Sequence, residues 1–441
     1  MIFIYSKDIS PRLKYVSYEL FARRLGVEYQ LISDPASFIV GEGARINYSD
    51  NQALPGLQIH PHGLLSDTTV QPLMPETHSH QEWSTILFPA DNDIIPFDVF
   101  AASFYILSRY EEYQPHQSDL HGRFKVEDSI AFQSGFLNFP LVDHWALHLK
   151  WILSNRYHTL EFQLPAFRFY STVDIDYVYQ YHGIGFIWYW LKLAFSLMRF
   201  RFQDVFIQLK VGITHQHDPY DTYTWIEELC KESQVDMHYF VLMRSGKRYD
   251  RNAGIRGDIF KRTIHLLSTR CTLGIHPSYH TINNPDLIQQ EIKQLEKITG
   301  HTIHTSRQHY LRYALPHTMQ YLSDSGITHD YSVGYANHAG FRASTAHPFA
   351  FFNLSTNCET HLLLHPVTSM DVTFKNNPEM NPGKAYSEVE QLMNEVKKVN
   401  GIYIHIWHNS NLSDSGGWRV WRELIRKIHT LAASKQQQEI D

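Results

Sequence analysis

Phe167-Arg168-Phe169-Tyr170-Ser171-Thr172-Val173-Asp174-Ile175-Asp176-Tyr177 is the stretch on which the reading of the chain turns. An apolar, β-branched and aromatic run ends in two acids, the pattern of a buried strand delivering carboxylates to a sheet rim. Residues i and i+2 of a strand face the same side, so Asp174 and Asp176 look into one cavity. Two acids held that close repel and call for a cation or a proton. The alternative is a turn cap that serves only local backbone amides.

Outward from this strand the pattern repeats. Short apolar runs at 238–243, 272–275, 303–306, 327–330, 362–364 and 401–407 alternate with helical spacing at 258–267, 286–298, 387–399 and 418–431. Such alternation predicts an α/β fold with a parallel sheet or a (β/α) barrel, its functional residues at the C-terminal strand ends. Residues 1–125 read as a smaller α/β domain, with strands at 2–5, 27–32 and 45–48. Its helices fall at 12–25, stopping at Gly26, and at 97–113. Residues 126–164 are expected to connect it to the barrel at 165–433, and 434–441 to form a polar tail.

The 441 residues carry a net charge of −6, with 43% apolar and 14% aromatic content. That supplies a large core and argues against nucleic acid as a partner. Cys230, Cys271 and Cys358 are far apart and odd in number, which fits a reducing compartment and offers no paired zinc thiolates. Met1-Ile2-Phe3-Ile4-Tyr5 reads as a strand rather than a signal peptide, so a cytoplasmic location is expected. Residues 184–200 are membrane-like in composition, but Lys192 interrupts them and Arg199, Arg201 and Lys210 follow. A core or surface helix is the first reading, and peripheral membrane contact through 184–210 the second.

Polar groups follow the later apolar runs. His276 and His280 flank Pro277, and a helix starting at that proline would bring both imidazoles to one ion. The spacing alone is weak, because 28 histidines in 441 residues yield about two such pairs by chance. His361 and His365 form another. Arg307 and His309 follow 303–306, Asp330 ends 327–330, and His408 ends 401–407. One aspartate with two histidines makes an open zinc site, and a second carboxylate and a spare imidazole would serve as base and acid.

The order Asp-x-Asp, His-x-x-x-His, Arg, Asp and a late apolar-x-His resembles the polysaccharide deacetylase superfamily, the chitin-deacetylase-like carbohydrate esterases. It is most similar to the bacterial subgroup with an extra N-terminal α/β domain, to which Gly340-Phe341-Arg342 and Trp407-His408-Asn409 also correspond. The resemblance spans about residues 165–430 and implies a distorted barrel. It implies Asp174 as general base, with Asp176, His276 and His280 as ligands of Zn2+ or another divalent metal. Arg307 would hold the base, Asp330 would orient the arginine or the acid, and His408 would be the general acid. His309, Tyr310, Arg342 and Trp407 would contact an acetylated glycan.

Two departures stand out. Ile175 separates the acids, and Gln308-His309-Tyr310 replaces the family's proline after the arginine, so His309 is a substrate contact or an alternative acid. Arg342 either binds a substrate anion or pairs within the wall, and Asp371 is a minor candidate for the cavity. The implied activity is metal-dependent deacetylation. The alternatives are hydrolysis of another amide or imide, or non-catalytic glycan binding. Oligomeric state is not legible.

Overall fold

The computed structural model describes residues 1–214, 217–244, 248–252, 254–414 and 416–433; the expected tail at 434–441 lies outside them. Two parallel sheets organise the chain. The smaller contains β1 (Ile2–Tyr5), β2 (Tyr29–Ile32), β3 (Ala44–Tyr48) and β4 (Leu57–Ile59) in the order β2-β1-β3-β4. A separate antiparallel hairpin follows, β5 (Thr77–His80) with β6 (Ser84–Leu87).

The larger sheet has nine strands. They are β7 (Arg168–Ile175), β8 (Asp236–Val241), β9 (Thr272–Ile275), β10 (Thr305–Ser306), β11 (His329–Asp330), β12 (Phe349–Asn353), β13 (Cys358–Leu364), β14 (Ser369–Met370) and β15 (Ile402–His408). Their order is β12-β13-β11-β10-β9-β8-β7-β15-β14, parallel throughout except β12, which pairs antiparallel with β13. The mixed α/β architecture with parallel sheets is thus present.

Alternation along the strands shows how the large sheet curls. In β7, Phe169, Val173 and Ile175 pack outward into the main core, while Thr172 and Asp174 face the other way. On that inner side, Phe240, Tyr331, Val367, Met370, Ile404 and Ile406 form one buried cluster. These residues come from strands that are not neighbours in the ladder, so the sheet must bend round to bring them together. Among the described residues no ladder joins the β12–β13 edge to β14, so the sheet is curled but open. Residues 367 and 368 span the gap instead: Val367 N donates to Val333 O and Thr368 N to Ile404 O, at 2.8 and 3.0 Å.

The N-terminal sheet and the large sheet are joined by buried polar bonds. Glu112 accepts from Arg342 Nε and Nη2 at 2.9 and 2.8 Å. Asp143, on the helix Leu141–Arg156, accepts from Arg24 Nε and from the Ala346 amide. The same helix buries Trp145 in the core that also holds Trp83 and Phe97.

Candidate functional site

Strand β7 ends at Ile175 with Asp174 buried and Asp176 at the rim, and the chain turns away immediately after. Register sets Asp174 beside His408 of β15 and Phe240 of β8. His276 follows β9 and Arg307 follows β10, each bonded through its backbone amide to the neighbouring strand. The side chains therefore meet at the C-terminal end of the sheet, where a cleft of about 700 Å³ opens.

Three ligand-type atoms converge there. Asp176, His276 and His309 each offer one atom, all within 4.8 Å of one another. His276 Nε2 and His309 Nε2 both lie 3.5 Å from Asp176 Oδ1. The opposite ring nitrogens are already engaged: His276 Nδ1 donates to Arg307 O at 2.6 Å and His309 Nδ1 to Asp250 Oδ1 at 3.0 Å. Those bonds fix the tautomers and aim both Nε2 lone pairs at a buried carboxylate oxygen with no hydrogen-bond partner. That anion calls for a cation beside it, a proton on an imidazole or a metal between the three groups. Burial opposes charge on these groups, yet Asp176 outweighs it and pushes His309 up to about 9, with Asp250 adding to the effect. Asp176 itself is drawn well below the usual range despite burial, chiefly by His309. A divalent metal fits this donor set of one oxygen and two nitrogens.

The expected partner His280 is not in this trio. No α-helix starts at Pro277: residues 277–280 form an irregular turn before a short 3-10 helix, Thr281–Asn283. Helical i,i+4 geometry is therefore lost, and the third position is taken by His309. A backbone kink delivers it, since Tyr310 and Leu311 both adopt left-handed φ values of 65° and 52°.

Asp174 accepts from Arg307 Nη1 at 2.7 Å. The same guanidinium donates to Thr172 Oγ1 and Tyr331 O and lies over the Phe240 ring. On the adjacent strand β15, His408 Nδ1 donates to Asp371 Oδ1 at 2.8 Å, and the His408 amide donates to Oδ2 of the same carboxylate. Burial works against protonation of His408, but Asp371 overrides it and raises the imidazole to about 10.

Residues 2–158 match a family described as "Family of unknown function (DUF7033)". No curated protein matches the chain. Among solved structures, it is similar to a protein named as a polysaccharide deacetylase from Mycobacterium smegmatis, at 15% identity and TM-score 0.39, over 62% of this chain and 90% of that one. A polysaccharide deacetylase from Bacillus cereus shares 10% identity at TM-score 0.29, over 62% and 88%. A CE4-family pseudoenzyme from Bacillus anthracis shares 10% at TM-score 0.30, over 59% and 60%. These likenesses are distant, and the roles assigned to side chains below rest on the geometry of the site.

The remaining sequence-derived residues fall in several places. Tyr310 is 37% exposed and lines the cleft. Asp330 is fully buried beneath it and bonds Ser306 and Ser332, not Arg307. Trp407 is buried, with Nε1 donating to Ser171 Oγ on the outer face. Arg342 lines a neighbouring cavity of about 480 Å³ and is held by Glu112.

Asp250 and the cleft-wall residues His121 and Arg123 were not singled out as site groups from sequence. Asp250 fixes the His309 tautomer. Arg123 Nη1 donates to Tyr310 O, which ties residues 117–125 to the kinked turn. Nothing in local periodicity marks these residues, because each acts on a partner more than 50 positions away.

Proposed function

We propose that the chain is a metal-dependent hydrolase that removes acetyl groups from an acetylated carbohydrate. The observation that carries this reading is the pair of tautomer-fixed imidazoles aimed at the unpartnered Oδ1 of Asp176. A divalent metal held by Asp176, His276 and His309 would polarise an acyl carbonyl and acidify a water. Asp174 would accept a proton from an attacking water, and Arg307 keeps its carboxylate aligned while leaving Oδ2 toward the cleft side of His276. His408, protonated and held by two contacts to Asp371, delivers a proton to the departing nitrogen or oxygen. Base and acid sit on adjacent strands in register and line the same cleft, so both can reach one substrate group.

Carbohydrate as the substrate class is supported by the motif order in the sequence and by the character of the cleft. Asn337, Asn377, Asn411 and Arg123 supply hydrogen-bonding groups, and the half-exposed Tyr310 ring supplies a stacking face. The test is metal content and acetate release from acetylated oligosaccharides, for wild type beside Asp174→Asn and His309→Ala. Wild type is expected to bind about one metal per chain and release acetate. Asp174→Asn should keep the metal and lose turnover, and His309→Ala should lose both. Wild type that stays metal-free after reconstitution would sink the proposal, and metal without turnover would point to glycan binding alone.

A further inference from the structure

Between β7 and β8 the chain inserts a helical hairpin, Phe186–Met198 followed by Phe202–Thr214. Its polarity is reversed relative to a soluble helix pair. Gln208 and Ser196 are buried, and Lys192 turns inward to donate to Gln180 O. Tyr189 Oη donates to Gln208 O and Gln208 Nε2 donates to Tyr189 O, which locks the two helices together. Gly212 permits this crossing, because a Cβ there would collide with the Tyr189 hydroxyl.

Most of the large apolar side chains point out instead, with Leu193 and Val211 buried. Twelve of the 26 most exposed large apolar side chains among the described residues lie between 186 and 213. Phe186 and Phe200 are each 78% exposed and Trp188 is 69% exposed. Water-facing aromatics at this density are an unmet demand for an apolar partner.

Charge selects the partner. With Lys192 turned inward, the hairpin's exposed cations are Arg199, Arg201 and Lys210, against the single acid Asp204, in a chain whose net charge is −6. Arg199 and Arg201 are exposed beside Phe200 and Phe202. Aromatic side chains interleaved with cations match an anionic lipid surface, where rings enter the headgroup boundary and cations meet phosphates. Each 13-residue helix is about 20 Å long, short of the roughly 30 Å hydrocarbon layer. Among the described residues no helix is long and apolar enough to cross a membrane. We infer that residues 186–214 dock the protein in the plane of an anionic membrane surface. The hairpin leaves the large sheet ten residues after Asp176, so docking brings the catalytic rim toward the lipid.

Vesicle co-sedimentation tests this, using phosphatidylcholine alone and phosphatidylcholine with phosphatidylglycerol. Wild type is expected to pellet with the anionic vesicles at least tenfold more than with neutral ones. Trp188→Ser/Phe200→Ser should abolish pelleting with an unchanged melting temperature, and Arg199→Glu/Arg201→Glu should erase the lipid preference. Quenching of wild-type tryptophan fluorescence by brominated acyl chains is the check that needs no variant. Wild type remaining in the supernatant with both vesicle types overturns the inference. So does a wild-type dimer that ignores vesicles and is split by Trp188→Ser/Phe200→Ser, which would make a second copy the occupant.

Discussion

Arg307 Nη1 donates to Asp174 Oδ1 at 2.7 Å, joining a fully buried guanidinium to a carboxylate that is itself almost enclosed. Neither charge has bulk water to fall back on. Truncating one partner strands the other, which costs about 3–5 kcal/mol for buried pairs. Arg307→Met is therefore expected to lower stability by that amount in denaturant titration. Arg307→Lys keeps the charge but cannot also reach Thr172 and Tyr331. It should fold and lose activity on the order of 10²-fold through misplacement of Asp174.

The third metal position separates two assignments. If His309 completes the trio with Asp176 and His276, His309→Ala should lose bound metal while His280→Ala retains about one equivalent per chain. Asp250→Asn leaves the ligands in place but removes the anion that orients His309, and should weaken metal affinity by about 10–100-fold. Equilibrium dialysis with a chromophoric chelator reads all three.

Asp371 sets the protonation of His408. The imidazole is raised to about 10 chiefly through this carboxylate, against the opposing effect of burial. His408 must carry its proton to act as an acid, so activity should fall on the alkaline side. A metal between Asp176 and the imidazoles would reduce the smaller contributions of Asp174 and Asp176 but leave that of Asp371. Asp371→Asn is then expected to move the alkaline limb of the kcat profile to lower pH. An unchanged limb would remove His408 from the acid role.

Glu291 gives a stability signature independent of catalysis. Burial pushes its carboxyl from 4.5 up to about 7, although Ser278 bonds both oxygens. Between those values the folded chain holds a proton that the unfolded chain releases, so stability falls as pH rises from 4.5 to 7. The loss is at most about 3–4 kcal/mol for one group, and Asp330, raised by burial to about 6, adds in the same direction. Glu291→Gln should flatten part of this slope in melting temperatures measured across that range.

The strand–acid element at 167–177 is legible because a parallel strand covered on both sides reads as an apolar run, and polarity at its end marks the rim. The same logic locates His276 and His408, which line one cleft with Asp174 and Asp176, and Arg307, which lies buried against Asp174. His309 escapes notice as a member of the trio because its direction depends on the kink at Tyr310 and Leu311, a backbone feature with no residue-type signature here. The pairing of His276 with His280 assumed a helix that the turn after β9 does not form. Arg342 finds Glu112 across 230 positions, a contact no periodicity announces.

That last pair has a consequence for how this chain can vary. Glu112 belongs to the N-terminal part and also accepts from Arg109, whereas Arg342, on the loop between β11 and β12, pairs with no other carboxylate among the described residues. Losing Glu112 would strand the Arg342 cation, while losing Arg342 leaves Glu112 its second cation. The dependence is one-sided: a fusion that replaced the N-terminal part alone would start with an orphaned cation in its core.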